Sequence, residues 1–217
     1  MVKILIVDDH DIVRDGLKML IAEHDDLEVA GEADNGLSAL SMVRETDWDI
    51  ILMDLSMPGK SGIDLVKQIK AEKSDIPLLI LSMHKEEQYA VRAIQAGASG
   101  YLCKSDASTS LIKAIRKVTS GGLFITPAVA EQMAMGIMPA QTTLPHTLLS
   151  NREFQVFQQI VEGSNLTKIA ENLNLSVKTI STHKTRIMQK MELNNVTDMI
   201  RYAIKHEMLD DIPDGVN

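Results

Sequence analysis

The chain has 217 residues, of which 45% are hydrophobic and 24% charged, and its formal net charge is −8. This length allows one large or two small domains, and no apolar run approaches the roughly 18–20 residues of a membrane span. A single cysteine, Cys103, cannot form an internal disulfide and fits a reducing compartment. We therefore expect a cytoplasmic protein in which Cys103 is a buried strand residue.

The charge is unevenly distributed along the chain. Residues 1–120 carry a net charge of −6, whereas residues 146–209 carry +2. An acidic half joined to a mildly basic half is typical of two domains with different partners.

Strand and helix signals alternate in the first half. The predicted strands are Val2–Val7, Leu27–Ala33, Ile50–Met53, Pro77–Leu81 and Gly100–Cys103. The predicted helices are Asp11–Glu23 with Ile12, Leu17, Leu20 and Ile21 on one face, one through Leu37, Leu40 and Val43, one through Ile63, Leu65, Val66 and Ile69, then Glu86–Ala96 and Ser108–Ser120. Strict alternation with near-continuous apolar strands predicts a (βα)5 domain, whose parallel sheet is covered on both faces.

Glycine, proline and helix-capping residues mark the boundaries in the rest of the chain. Gly121-Gly122 closes a first domain over residues 1–122, and a linker over 123–145 contains a short helix, 126–136, that starts at Thr126-Pro127. From Ser150 onward only helix signals occur. Ser150 and Glu153 have the spacing of a capping box, and further helices begin at Asn165, at Ser176 (Val177–Met191) and at Val196 (Val196–His206). Short helices followed by a longer basic one predict a helix-turn-helix over 146–209, before an acidic tail at 210–217.

Five polar residues close the apolar runs of the first half: Asp8, Asp9, Asp54, Ser82 and Lys104. Because parallel strands end at one carboxyl edge, these side chains are expected to meet there. Clustered carboxylates repel one another unless a cation neutralises them, and Mg²⁺ prefers hard oxygen ligands with a phosphate partner. Asp54 would then act as a carboxylate nucleophile toward phosphorus, while Lys104 and Ser82 hold the phosphoryl oxygens. Taken singly, each residue is better explained by a helix-dipole or turn role; the convergence of all five reverses that preference and favours a phosphoryl site.

These residues resemble the receiver domains of two-component response regulators. The matching segments are Ile-Val-Asp-Asp-His at 6–10, Met-Asp-Leu-Ser-Met-Pro-Gly at 53–59, Leu-Ser-Met-His at 81–84 and Gly-Ala-Ser-Gly-Tyr-Leu-Cys-Lys at 97–104. The resemblance covers residues 2–120 and implies a flavodoxin/CheY-like fold. It further implies that a sensor histidine kinase phosphorylates Asp54, and that Mg²⁺ is bound by Asp8, Asp9, Asp54 and the backbone carbonyl of Ser56.

The same resemblance implies that Ser82 and Tyr101 shift on phosphorylation and that Lys104 binds the phosphate. The chain departs from the family pattern at two positions. Ser105 follows the lysine where receivers often have a cis proline, and the switching hydroxyl is Ser82 rather than threonine. His10 and the nearby His84 are interpreted as loop residues, not metal ligands.

The predicted helix 177–191 has two distinct faces at 100° per residue. Its apolar stripe comprises Val177, Ile180, Ile187, Met188 and Met191, and no acidic residue occurs between Ser176 and Lys190. A polar face without acids suits a DNA major groove, although charge alone would favour a solvated face on a small helical bundle. Lys184 falls near the stripe and is expected to pack its stem and extend its ammonium to solvent.

This half resembles the LuxR-type helix-turn-helix of NarL/FixJ-class regulators. The match includes Leu149-Ser-Asn-Arg-Glu153, Gly163, Ile169-Ala170, Leu173, Ser176, Lys178-Thr179-Ile180, His183, Ile187 and Lys190. It implies that Ser181, Thr182 and Thr185 face the bases. The full set of expected DNA-contacting residues is Lys178, Ser181, Thr182, His183, Lys184, Thr185, Arg186 and Gln189. One departure, Leu166-Thr167-Lys168, adds a cation to the preceding helix.

Together these features indicate a response-regulator transcription factor that binds promoter DNA, and the family resemblance implies that it forms a homodimer when phosphorylated. An aspartate-nucleophile phosphatase usually has a second Asp where this chain has Ser56. A nucleotide-binding protein would need a glycine-rich loop in place of Asp8-Asp9-His10. A third alternative retains the receiver but makes the C-terminal helices a protein-interaction bundle.

Overall fold

The structure is a computed structural model that describes residues 1–55, 57, 62–83, 87–137, 144–206 and 208. The chain divides into two compact units, residues 1–138 and 139–217. Ser56, His84 and the acidic tail lie outside the described residues. Within the described part of the chain, no helix combines the length and the apolar composition needed to cross a bilayer.

The first unit is built around a parallel five-stranded sheet in the order β2-β1-β3-β4-β5. Its strands are β1 (Val2–Val7), β2 (Leu27–Ala33), β3 (Ile50–Asp54), β4 (Leu78–Ser82) and β5 (Gly100–Cys103). Its helices are α1 (Asp11–Ala22), α2 (Gly36–Glu45), α3 (Gly62–Glu72), α4 (Glu87–Gln95), α5 (Ala107–Thr119) and α6 (Pro127–Ile137). The predicted (βα)5 receiver-like fold is confirmed.

The central strands form the core of this unit. Every residue of β3, β4 and β5 is buried, which is why these segments are continuous apolar runs without the alternation of a half-exposed strand. β3 and β4 each extend one residue beyond the predicted end, to include Asp54 and Ser82. Cys103 is buried in β5, as predicted.

One hydrophobic residue is wrongly placed by the sequence prediction. Ile12 is predicted on one face of α1 with Leu17, Leu20 and Ile21, but it is 87% exposed. At 3.6 residues per turn, Ile12 lies on the opposite side of the helix from the buried Ile21.

A short segment after α5 joins the edge of the sheet beside β5. Phe124 forms a parallel bridge to Gly100; its carbonyl accepts from Tyr101 N at 2.8 Å, and its own N donates to Ser99 O at 3.1 Å. The helix that follows, α6, begins after Thr126 as predicted and contacts α4. This segment therefore packs within the first compact unit.

The second unit is all-helical. Its helices are α7 (Asn151–Val161), α8 (Leu166–Asn172), α9 (Val177–Met191) and α10 (Val196–Lys205), and a 3-10 turn, Pro145–Leu148, precedes them. The Ser150–Glu153 capping box is present, and Asn165 and Ser176 cap the next two helices. α9 packs against both α7 and α8. These caps explain why the helix starts were predictable from sequence.

Two glycines give a matched test of packing at the sheet edge. A Cβ on Gly100 would lie 2.9 Å from Leu79 Cδ1 and 3.1 Å from the Phe124 carbonyl, whereas a Cβ on Gly16 in α1 would meet nothing within 4 Å. We expect Gly100→Ala to destabilise the first unit by about 1–3 kcal/mol through overpacking. Gly16→Ala should stabilise it by about 0.5–1 kcal/mol, because alanine loses less backbone entropy in a helix.

The free energies of unfolding can be measured by urea denaturation of the full chain, followed through the fluorescence of Trp48, which is buried in the first unit. A Gly100→Ala protein as stable as the Gly16→Ala protein would contradict the close approach of Phe124 to β5.

Candidate functional sites

The carboxyl edge of the sheet brings together the acidic residues singled out from the sequence. Val7 is paired with Met53, so Asp8 and Asp54 extend from neighbouring strands. Both are almost fully buried, at 1% exposed each, and Asp9 is partly buried. Ligand atoms of Asp8, Asp9, His10 and Asp54 lie within 4.8 Å of one another. The sequence therefore folds into a compact acidic site.

Lys104 enters this site from the first residue of the 3-10 turn that follows β5. Its Nζ lies 2.7 Å from Asp8 Oδ2 and 3.0 Å from Asp54 Oδ2. Burial alone would lower the pKa of Lys104, but the Asp54 and Asp8 carboxylates together outweigh burial, and the pKa of the ammonium is raised. Lys104 therefore remains charged at neutral pH. The peptide bond to Ser105 is trans.

The two predicted switch residues are both inside the fold. Ser82 is the last residue of β4 and fully buried, and Tyr101 in β5 is 7% exposed. Met83, directly after Ser82, is 66% exposed. The predicted third protein ligand, Ser56, lies outside the described residues.

His10, interpreted from the sequence as a loop residue beside the site, is the N-cap of α1 and contacts two carboxylates of the site. Its Nδ1 lies 3.0 Å from Asp9 Oδ1 and 3.3 Å from Asp8 Oδ1, and its backbone N donates to Asp8 Oδ1 at 2.9 Å. The signal available in the sequence was its position directly after two adjacent aspartates. His10 thus contacts both carboxylates, although its side chain is 63% exposed.

In the second unit, α9 presents the polar face predicted from the sequence. Six of the eight expected DNA-contacting residues are exposed, namely Lys178, Ser181, Thr182, Thr185, Arg186 and Gln189. Thr182 Oγ1 donates to Lys178 O at 3.0 Å and Thr185 Oγ1 donates to Ser181 O at 3.1 Å. Because these hydroxyl protons are engaged by the helix, the two threonines offer acceptor lone pairs and methyl groups to a ligand.

The other two expected contacts, His183 and Lys184, are half-buried. His183 Nδ1 is buried and has no hydrogen-bond partner among the described residues. Burial lowers the pKa of His183 below its ordinary value of 6.5, Arg152 and Arg186 lower it further, and Glu153 opposes the shift. The imidazole is therefore neutral at pH 7 and adds no positive charge to the face. Val177, predicted in the apolar stripe, is 44% exposed because it lies in the first turn of the helix.

An ion pair between the exposed Lys190 and the buried Glu153 fixes α9 on α7. Lys190 Nζ lies 2.7 Å from Glu153 Oε2 and also donates to Leu148 O at 3.3 Å. The same Glu153 oxygen accepts from Ser150 N at 2.8 Å. This second role of Glu153 was not predicted from the sequence, because its partner is 37 residues away. Lys190 is thereby engaged within the domain.

Comparisons with known proteins agree with this arrangement. Residues 4–116 match the family model described as "Response regulator receiver domain", and residues 147–203 match "Bacterial regulatory proteins, luxR family". The chain is 36% identical over 211 residues to "Response regulator GacA" of Pseudomonas syringae pv. syringae (strain B728a), covering 97% of this chain and 99% of the relative. It is also 36% identical over 207 residues to "Response regulator UvrY" of Escherichia coli (strain K12), covering 95% of each chain.

The chain is a response regulator of the NarL/FixJ class. Among solved structures, this response regulator is similar to RcsB from Salmonella enterica serovar Typhimurium bound to promoter rprA in the presence of the phosphomimetic BeF3−. The TM-score is 0.66 at 28% identity, over 93% of this chain and 98% of that chain. A second structure of RcsB from Salmonella typhimurium, described as showing conformational dynamism for DNA interaction, has a TM-score of 0.70 at 27% identity, over 94% of this chain and 97% of that chain. The family and fold predicted from the residues are confirmed.

The Glu153–Lys190 pair gives a pH-dependent contribution to the stability of the second unit. Burial would raise the pKa of Glu153, but hydrogen bonds from Lys190 and Ser150 outweigh burial and lower it below 4.5. A lowered carboxyl pKa contributes stability above the unfolded value, and this stability is lost as pH falls through the folded value. We expect Glu153→Gln to cost about 1–3 kcal/mol at pH 7 and progressively less below pH 4.5.

Urea unfolding followed by the NMR signals of α9 measures this cost, and Glu171→Gln, at an exposed acid of α8, is the matched control. A cost that stays constant through the acid range, or that appears equally in the control, would contradict this assignment.

Proposed function

We propose that this response regulator accepts a phosphoryl group on Asp54 from a sensor histidine kinase, and that phosphorylation controls sequence-specific promoter binding through α9. The observation that carries the proposal is the environment of Asp54. Its carboxylate is 1% exposed at the end of β3, with Lys104 Nζ at 3.0 Å and the Asp8 and Asp9 ligand atoms within 4.8 Å. A buried carboxylate beside a cation and further acids suits nucleophilic chemistry toward phosphorus.

The donor set fits Mg²⁺. Three carboxylates converge on one point, and when ionised they exceed the Lys104 ammonium by two negative charges. Such an excess in a buried site favours a hard divalent cation. Asp8, Asp9 and Asp54 would hold it, with the backbone carbonyl of Ser56 as a further ligand. When bound, the cation neutralises charge on the transferring phosphoryl oxygens.

The side chains then carry out an in-line phosphoryl transfer. A carboxylate oxygen of Asp54 attacks the phosphorus of the phosphohistidine on the kinase. The O–P bond forms as the P–N bond breaks, and the electron pair returns to the imidazole nitrogen, which takes up a proton. Lys104 exchanges its contact with the Asp54 carboxylate for a phosphoryl oxygen, because the new group has the greater negative charge. In autodephosphorylation, water attacks the same phosphorus, the P–O bond to Asp54 breaks, and inorganic phosphate leaves while the Asp54 carboxylate is restored.

The output is a two-state shift of the β4–β5 region. Ser82 is positioned at the end of β4 to hydrogen-bond the new phosphoryl group, and Tyr101 in the adjacent strand repositions with it. Both side chains are buried in the present structure, so their movement requires repacking of neighbours and is suited to a discrete switch.

The recognition surface on α9 combines exposed hydroxyl and amide groups with flanking cations. Lys178 and Arg186 would contact phosphates, while Thr182 and Thr185 offer acceptors and methyl groups to base edges. Lys168 of α8 is exposed and adds a cation nearby in sequence. We place this activity in the cytoplasm. A phosphorylation-dependent homodimer is also proposed, supported by the description of RcsB dimers bound to DNA in one similar structure.

The phosphoacceptor is tested by labelling with acetyl phosphate and Mg²⁺. We expect Asp54→Asn to abolish the acid-labile label, because an amide cannot act as the nucleophile. Asp64→Asn, at an exposed acid in the first turn of α3, should be labelled like the wild type. Labelling that persists in Asp54→Asn would move the acceptor to another residue.

DNA recognition is tested on duplexes selected from a random library by the full-length chain. Lys178→Ala should reduce the salt dependence of binding by about one unit of slope on all duplexes. Thr185→Val should weaken binding to the selected duplex about 2- to 10-fold through the lost hydroxyl, with little effect on a scrambled duplex.

Lys67→Ala removes one positive charge from an exposed position of α3. It is the control for the loss of charge in Lys178→Ala and should leave the salt dependence of binding unchanged. If the wild type shows no salt-sensitive duplex binding, the second unit is a protein-interaction bundle instead.

A further inference from the structure

Arg14 of α1 lies beside the acidic site, yet it belongs neither to the predicted site nor to the residues that receive the phosphoryl group. Its Nη1 donates to the backbone carbonyl of Asp8 at 2.7 Å, and its Nε donates to Glu32 Oε2 at 3.2 Å. Nη2 donates to Asp11 Oδ1. The Arg14 side chain is only 14% exposed. The guanidinium thus joins the loop after β1 to the end of β2 and the start of α1.

The carbonyl that Arg14 contacts belongs to the peptide group between Asp8 and Asp9. Because a peptide group is planar, fixing its carbonyl constrains the orientation of both adjoining Cα atoms. Asp8 N is held by Ala33 O at 3.1 Å, so Asp8 is fixed on the sheet side. His10, the N-cap of α1, makes no side-chain cap bond. On the helix side, the Arg14 guanidinium holds the carbonyl of this peptide at 2.7 Å, while the His10 backbone N–H holds the Asp8 carboxylate at 2.9 Å.

We propose that Arg14 is a positioning residue for divalent-cation binding: by holding the Asp8–Asp9 peptide against Glu32, it orients both carboxylates toward the site. This inference rests on the proposed function, since it assigns a role in the Mg²⁺ site. Arg14 acts through the backbone and donates to no carboxylate of the site, so it orients the acidic ligands without neutralising them.

The chemistry of arginine explains why this position holds a guanidinium. Its planar fork presents several N–H donors in fixed directions, and three of them are used here on three acceptors. A lysine ammonium could remain beside Glu32 and Asp11 as a point charge, but it lacks the fixed fork that also reaches the Asp8 carbonyl.

A neighbouring residue separates this role from simple stabilisation of the α1–β2 contact. Lys18, one turn further along α1, lies 2.9 Å from Glu32 Oε1 and 2.8 Å from Asp15 Oδ1. It shares the Glu32 carboxylate with Arg14 but makes no bond to the Asp8 carbonyl among the described residues. Lys18 is therefore a matched control for the loss of one cation from this network.

The experiment compares the wild type, Arg14→Gln, Arg14→Lys and Lys18→Gln as full-length proteins. Mg²⁺ is titrated into each, the Kd is taken from NMR shifts of the β1–α1 loop, and thermal unfolding is recorded in parallel. We expect Arg14→Gln to raise the Mg²⁺ Kd roughly tenfold, the lower end of the cost for losing a group that orients metal ligands. Arg14→Lys should retain thermal stability better than Arg14→Gln but still bind Mg²⁺ more weakly than the wild type. Lys18→Gln should leave the Kd unchanged.

A second readout separates an affinity effect from general damage. The rate at which acetyl phosphate labels Arg14→Gln should recover toward the wild-type rate as the Mg²⁺ concentration is raised, because Asp54 and Lys104 are intact.

A Kd for Arg14→Gln equal to that of the wild type, or an equal loss of affinity in Lys18→Gln, would overturn the positioning role. If Arg14→Gln does not fold, an unchanged Kd in Arg14→Lys overturns it instead. These outcomes leave the proposed function standing, because the wild type still binds Mg²⁺ and is labelled on Asp54. Failure of the wild type to bind Mg²⁺ would instead overturn both.

Discussion

Two almost fully buried carboxylates, those of Asp8 and Asp54, share the single ammonium group of Lys104. Burying charge is costly unless partners are held in place. This arrangement therefore depends on the relative positions of the ends of β1, β3 and β5. The sheet order fixes these positions, because β1 and β3 are neighbours and β4 and β5 continue the sheet beyond β3. In the proposed function, the negative charge left over makes this site responsive to ions and phosphoryl groups, since each changes the charge around two carboxylates that are almost fully buried.

The second unit is under a different constraint. The polar face of α9 is exposed, so the helix has to be held in place by contacts on its opposite side. Ile180, Ile187 and Met191 anchor one side of the helix in the core, and the Glu153–Lys190 pair holds its last turn on α7. Positive charge on the face comes from the remaining lysines and Arg186, because Lys190 is engaged internally and His183 is neutral.

Local signals made much of the fold predictable. The strands are buried on both faces, so they appear as apolar runs, and the caps at Ser150, Asn165 and Ser176 mark helix starts by their own hydrogen bonds. Features that depend on tertiary contacts were not accessible in this way. The Lys190–Glu153 pair and the bond from Arg14 to the Asp8 carbonyl require the loop and helix geometry itself. Ile12 was placed wrongly because an apolar residue in a helix was assumed to face inward, although wheel geometry places it opposite Ile21.

The pairing of Phe124 with β5 has a consequence for how the first unit can be cut from the chain. A fragment ending at residue 122 would uncover the Tyr101 N–H and the Ser99 carbonyl along the outer strand. Unpaired edge groups of this kind are templates for intermolecular strand addition and aggregation. A fragment that continues through α6 retains its own edge cover, so the segment between the domains also protects the solubility of the receiver.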